Sequence, residues 1–486
     1  MDEQQSIKKG LFWMGIASAV SKLVDLSSLF VTLVFITKEE LGLATLAWSF
    51  AVLLEAFNGL GTATAIVQAP EISKKQLDSL FWYIMAIATV MFSVVLMSSP
   101  WLSDFYNDSN LRYLMIVPAV KLFCVGGSLI PLQLLNRELR YREISTIRMV
   151  ATFLSAVVSI VLVSSGYGAW AIVIAHSSFG VFQLIGVYIV KPFLPSFTFS
   201  FSEIKSLVVF GAKAALSGVI YHFYRNMDYL IIGRFLGKEA LGIYKVAFDL
   251  SMKTAEEVSN IINRTAFPVF SRLAGEPERL SRIFVWTSRN LALLLMPVAV
   301  GLFFCADEFL AIIKDGKWSE AALSVQILCW AALLRCLAMA FPHLYHAIGR
   351  PTLAIYQSLL SCVALAVTFS ISLYFWGDQY GSAAVCGAWL ASYPVLLMLF
   401  WWFAKLHLPL LLLSYLGGLK DSLLSGIAMF LPMMAVDFLL PKDAGIWVSL
   451  LCLLPTGAIA YMAFLRFKLK ITPKSLWAKP KQTALS

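Results

Sequence analysis

The chain has 486 residues, of which 59% are hydrophobic and 14% charged, and its formal net charge is +10. A soluble domain keeps roughly a quarter of its residues charged, so the composition excludes a water-soluble globular protein and makes lipid the solvent for much of the surface. The positive balance could suggest nucleic acid, but the basic residues sit in short loops between apolar runs, where the anionic membrane leaflet is their counterpart.

The apolar runs are about twenty residues long, enough to cross the hydrocarbon core as helix. They lack the two-residue alternation of barrel strands. The expected fold is therefore an all-α integral membrane protein. Taken in order, about fourteen spans fall near 10–36, 41–68, 79–99, 112–135, 147–165, 169–190, 206–236, 241–266, 283–305, 321–344, 352–375, 381–404, 421–438 and 446–465. The opening "MDEQQSIKK" runs into the first span without a small-residue cleavage site, so it is read as part of that span and not as a leader. Breaks are expected at Gly166–Gly168 and at Leu416–Asp421.

With the N-terminus inside, the inward segments hold 22 Lys and Arg and the outward segments hold six. Basic residues in short loops stay cytoplasmic. Both termini are therefore expected in the cytoplasm, with an even number of spans.

A repeat organises the chain. "KEELGLATLA" begins at Lys38 and "KEALGIYKVA" at Lys238. The first turn joins spans 1 and 2 and the second joins spans 7 and 8. Six spans separate them, so both copies have the same orientation. Each second span is followed by a basic inner loop, a returning span, and an outer loop bearing Trp and Asp. This pattern predicts parallel repeats: an N-terminal six-helix half (1–190), a cytoplasmic interfacial linker (191–205), a C-terminal six-helix half (206–404), two additional helices (405–466) and a basic cytoplasmic tail (467–486). Two such halves around a midplane site are an alternating-access plan.

Ten basic residues lie inside the expected spans, against six clear acids. Charges facing lipid are costly, so they must face a wet cavity, each other or an interface. Spans 7 and 8 hold the richest set. Arg225 and Asp228 are one helical turn apart, while Lys245, Asp249 and Lys253 follow at i, i+4 and i+8. Two readings stand: the ladder neutralises itself through i,i+4 pairs, or it lines a water-filled cavity. An excess of positive charge suits an anionic group. The candidate substrate-binding residues are Lys213, Arg225, Lys245 and Lys253, with Tyr221, Tyr224 and Asn226 beside them. Asp25, Glu55, Asp228 and Asp249 are candidates for coupling proton or cation movement, or for plain salt bridges.

No catalytic constellation, phosphate loop or metal set is visible. The seven cysteines lack zinc or redox spacing and read as small packing residues, and His343 and His346 are too few for a metal site. No enzymatic activity and no cofactor are expected.

The stretch "FGAKAALSGVIYHFYRNMDYLIIGRFLGKEALGIYKVAFDL", followed by "NRTAFPVFSRL", "DGKWSEA" and "AIGRP", resembles the Wzx-type, colanic-acid-exporter-like polysaccharide transporters. These belong to the multidrug/oligosaccharidyl-lipid/polysaccharide exporter superfamily. Family members often carry proline in the middle of span 8, where this chain reads "SMKTAEEVS", so no hinge is carried over. The resemblance implies a flippase of the bacterial inner membrane. It would move an undecaprenyl-pyrophosphate-linked oligosaccharide repeat unit from the inner to the outer leaflet by alternating access. Surface polysaccharide, lipopolysaccharide or exopolysaccharide biosynthesis would use the product. Membrane lipids and polysaccharide polymerase machinery are the other implied partners, and nucleic acid is not one. Two rivals remain within the superfamily: a peptidoglycan-precursor lipid flippase and a drug/cation antiporter, which would favour an acidic cavity. A membrane polymerase or ligase would need a substantial outer catalytic loop, and the outer segments here are short.

Overall fold

A computed structural model describes residues 3–55, 57, 62, 66–67, 69, 71–314, 316–441 and 445–469; the side chains of 3–12, 14, 16, 19, 210, 212–218, 221 and 264 lie outside the described set. The expected basic tail beyond 469 and the side chains of Lys213 and Tyr221 therefore fall outside it.

The described chain is helical throughout. The helices are α1 (Glu3–Phe35), α2 (Lys38–Glu55), α3 (Lys74–Phe105), the short α4 (Ser109–Leu114), α5 (Ile116–Arg137), α6 (Tyr141–Ser164), α7 (Ala169–Val190), α8 (Phe201–Phe235) and α9 (Gly237–Phe248). A π-turn at Asp249–Lys253 leads into α10 (Thr254–Arg272). Then follow α11 (Pro277–Ala311), α12 (Ala322–Ala338), α13 (Ala340–Ala347), α14 (Pro351–Tyr380), α15 (Ser382–Lys405), α16 (Leu412–Leu439) and α17 (Ile446–Phe467).

Among the described residues, ten helical segments are long and apolar enough to cross a membrane. They include α3, α6, α7, α11 and α14 to α17, with the α4–α5 and α12–α13 stretches each counted as one segment. The chain is an all-helical, multi-pass membrane protein. The long segments outside this set are α1, α2, α8 and the α9–α10 stretch, which are where the sequence concentrates its intramembrane charge.

Local signals set the helix ends. Thr37 and Glu40 close a capping box at α2: the Thr37 hydroxyl accepts from Glu40 N at 3.2 Å and the Glu40 carboxylate from Thr37 N at 2.8 Å. Ser73 and Gln76 do the same at α3. Such pairs satisfy backbone N–H groups that the first turn leaves open. The break at Gly166–Gly168 is present, with both glycines at positive φ.

The expected break at Leu416–Asp421 is not there, because α16 begins at Leu412 and runs straight through. Its charge is neutralised from the side: the Asp421 carboxylate is 2.6 Å from the guanidinium of Arg289 on α11. An acid that reads as a loop in sequence is thus a helix–helix contact.

By packing, the chain forms two compact units, Met1–Gly242 and Ile243–Ser486. In the first, α6 packs on α1 and α7, α5 on α3 and α7, and α8 along α2 and α3. In the second, α12 packs between α11 and α15, α15 on α14, and the C-terminal pair α16–α17 against α11.

The segment between α7 and α8 is tied down within the first unit. The Trp82 indole donates to the Ser196 carbonyl at 2.9 Å and stacks on Phe197, while Lys75 meets Glu203 at 3.0 Å. At its start, Lys191 bonds Glu138, and this bond first, then the one from Arg140, holds the Glu138 carboxyl below its ordinary range.

Candidate functional site

The two copies of the repeated turn lie against each other in the first unit. Lys38 Nζ is 3.7 Å from a Glu239 carboxylate oxygen, and Lys238 Nζ is 3.2 Å from one of Glu39. The crossing is reciprocal in the backbone too. A Cβ on Gly42 would stand 1.7 Å from the Lys238 carbonyl oxygen, and one on Gly242 would stand 1.9 Å from that of Lys38. Small residues let helix backbones touch in this way. Both glutamates are more than half exposed, so the ion pairs contribute little; the glycine contact is what a side chain would break. Lys238 also donates to Asp108, the cap of α4, at 2.9 Å.

Behind this clasp, a buried cation stands in the first unit. Lys121 on α5 reaches Glu55 at the end of α2, Nζ to Oε1 2.7 Å. Its ammonium lies 4.3 Å from the centre of the Trp48 ring, and Trp48 stacks on His176 of α7 at 4.7 Å. Gly180 makes room for the lysine stem, since a Cβ there would stand 2.9 Å from Lys121 Cγ. On α8, His222 lies within electrostatic reach of both Arg225 and Glu55.

The other candidates of the first unit are partly committed elsewhere. Asn226 donates its side-chain amide to the His222 carbonyl at 2.8 Å. Asp228 is fully buried, and its carboxylate accepts from the Tyr229 backbone N–H at 2.9 Å. Arg225 and Tyr224 are half-buried, and Asp25 is exposed on α1.

In the second unit the charge ladder does pair with itself. Lys245 bonds Asp249 one turn on, and Lys253 Nζ is 3.9 Å from the other oxygen of the same carboxylate. Lys253 keeps 53% of its side chain exposed. Asp249 and Lys253 are the first and last residues of the π-turn that interrupts the helix, and such turns recur at functional sites. Glu256 does not continue the ladder: it is buried against Arg335 of α12 at 2.8 Å. The guanidinium lies 5.0 Å from the Trp389 ring and 5.6 Å from the Phe248 ring. Trp389 in turn donates its indole N–H to the Tyr244 hydroxyl at 2.7 Å. Tyr244 is thus a buried packing and hydrogen-bonding residue.

A family model described as "Polysaccharide biosynthesis protein" matches residues 34–323, more than half of the chain. The chain belongs to the polysaccharide biosynthesis protein family. Among curated relatives of this family member, the teichuronic acid biosynthesis protein TuaB of Bacillus subtilis is 27% identical over 371 residues, covering 74% of this chain and 76% of the relative. The lipopolysaccharide biosynthesis protein WzxC of Escherichia coli is 24% identical over 343 residues, covering 69% and 68%. Among solved structures, the lipid II flippase MurJ superposes with a TM-score of 0.73 over 94% of this chain and 99% of its own, at 11% identity. That likeness establishes that this polysaccharide biosynthesis protein shares the fold of that structure.

Lys121 and Arg335 are two of the ten basic residues inside the expected spans and lie outside the candidate binding set. The signal was available. Neither has an acid three or four residues away in its own helix, so a buried partner had to come from another span.

Proposed function

We propose that this protein is a flippase. It carries an undecaprenyl-pyrophosphate-linked oligosaccharide repeat unit from the inner to the outer leaflet of the bacterial cytoplasmic membrane by alternating access, for surface polysaccharide synthesis. The observation that carries the reading is where the charge sits. It is concentrated in α1, α2, α8 and α9–α10, which are repeat-related pairs, while the helices around them are apolar enough for lipid. Charged helices of this kind line a wet path through a transporter. Basic residues exceed acids there, as an anionic head group requires and a cationic drug does not. Lys213, Arg225, Lys245 and Lys253 would meet the pyrophosphate, with Tyr221, Tyr224 and Asn226 against the sugars. Asp25, Glu55, Asp228 and Asp249 would couple an ion gradient. The loop-charge bias puts the Gly42–Gly242 clasp on the outward face, where it would close the path and must part for release.

The test is the leaflet in which the cargo resides. In a deletion strain, lipid-linked oligosaccharide should become inaccessible to an impermeant outer-leaflet label. Normal labelling in that strain would overturn the reading.

A further inference from the structure

Lys121 and Arg335 occupy corresponding places in the two halves. Each sits on the fourth span of its half, on α5 and α12, and each holds a carboxylate from the second span, Glu55 or Glu256. Each lies over an aromatic ring of that same second span, Trp48 or Phe248. The sixth spans complete the match. His176 comes eight residues after the glycine cap Gly168, and Trp389 comes eight after Gly381. The two caps share a backbone conformation, φ 53° and 52° with ψ −130°. The one residue by which Phe248–Glu256 exceeds Trp48–Glu55 is absorbed by the π-turn, so the register survives.

A cluster built twice serves the fold in both copies, and what differs between the copies points to function. In the second, both partners are sealed, with side chains 3% and 5% exposed. The cation is an arginine held against two rings, with a planar fork that does not lose its charge. In the first, the cation is a lysine, a point charge with three swivelling donors. Its side chain is 7% exposed and that of Glu55 25%, so the acid is the less enclosed member of the pair. His222 of α8 lies within electrostatic reach of Glu55 and of Arg225, and His176 of α7 stacks on the Trp48 ring that the lysine lies over. A carboxylate that swings out would leave the Lys121 ammonium open to another anion, with His222 nearby.

We propose that Glu55 is a place-holder on Lys121. The phosphate of the cargo displaces it, which makes Lys121 a binding residue and leaves Arg335 a structural one. This rests on the flippase reading above. A doubly esterified pyrophosphate, with one negative charge on each of its two phosphates and several acceptor oxygens, outcompetes a single carboxylate for an ammonium. On release, Glu55 returns, and the lysine is never left buried and unpaired.

The test uses the full chain in zwitterionic nanodiscs, titrated with farnesyl pyrophosphate, with farnesol as the uncharged control. Glu55→Gln removes the competitor, so it should bind the pyrophosphate on the order of tenfold tighter. In reconstituted transport it should show a lower KM together with a lower kcat. Lys121→Met should lose the preference over farnesol, while Lys121→Arg keeps it. Glu256→Gln should lower the melting temperature and leave Kd unchanged. A purely structural pair would never gain affinity on losing its acid, so unchanged or weaker binding by Glu55→Gln overturns the proposal while leaving the flippase reading intact. Wild-type protein that binds pyrophosphate no better than farnesol overturns both. If Lys121→Met does not fold, Glu55→Gln and Lys121→Arg still decide.

Discussion

At the scale of the residue, a lone cation in an apolar run cannot be interpreted from its own helix. Lys121 and Arg335 are paired with acids that lie 66 and 79 positions earlier in the chain, where no helical spacing could reveal them. Arg289 is similar: its place near a span end is compatible with snorkelling, yet its partner is Asp421. The energetic consequence is sharpest for Arg335. Removing one member of a buried pair strands the other, at a cost of about 3 to 5 kcal/mol, whereas replacing both by apolar groups is far milder. Glu256→Gln and Arg335→Met should therefore each lower the melting temperature of the purified protein markedly. The double variant Glu256→Met with Arg335→Met should recover a good part of that loss. Additive losses in the double variant would show that the two do not act as a pair.

At the scale of the element, most helices were legible because apolar length and turn chemistry agree. The glycines at 166 and 168 mark an end that the structure reproduces, and the Thr37–Glu40 and Ser73–Gln76 boxes close two further helix starts. The repeat was legible for the same reason, since two similar short turns, "KEELG" and "KEALG", survive in the sequence. Its physical use was not. Nothing local says that two hairpins some two hundred residues apart touch, and their contact is made by backbone at Gly42 and Gly242, which carry no side-chain signal. The π-turn was hidden likewise, because its only trace is a one-residue slip between the copies after Phe248. The clasp makes a specific expectation. Gly42→Leu would place a side chain where the Lys238 carbonyl now lies and force the hairpins apart. Disulfide formation between Lys38→Cys and Glu239→Cys should be efficient in an otherwise cysteine-free chain and fall severalfold when Gly42→Leu is added. Lys238→Ala alone should change it little, because exposed ion pairs contribute at most about 1 kcal/mol. If Gly42→Leu leaves the cross-link unchanged, the close backbone contact is not what holds the hairpins together.

At the scale of the whole molecule, direction of transport depends on which way the chain lies in the membrane, and this is fixed by charge and not by packing. The asymmetry is in the loops expected from the sequence, where the inward segments hold 22 Lys and Arg and the outward segments six. The cytoplasmic leaflet retains the basic side. On the proposed reading the clasp is expected at the outer face, and a cargo assembled inside would enter from the basic side. Single cysteines in a chain freed of the seven native ones report this directly. In intact cells an impermeant maleimide should label Asn110→Cys and Gly445→Cys, and should reach Glu278→Cys and His407→Cys only after the membrane is permeabilised. The opposite pattern would place both termini outside and turn the clasp toward the cytoplasm. The charge argument for export would then fail even though every helix contact described above stayed the same.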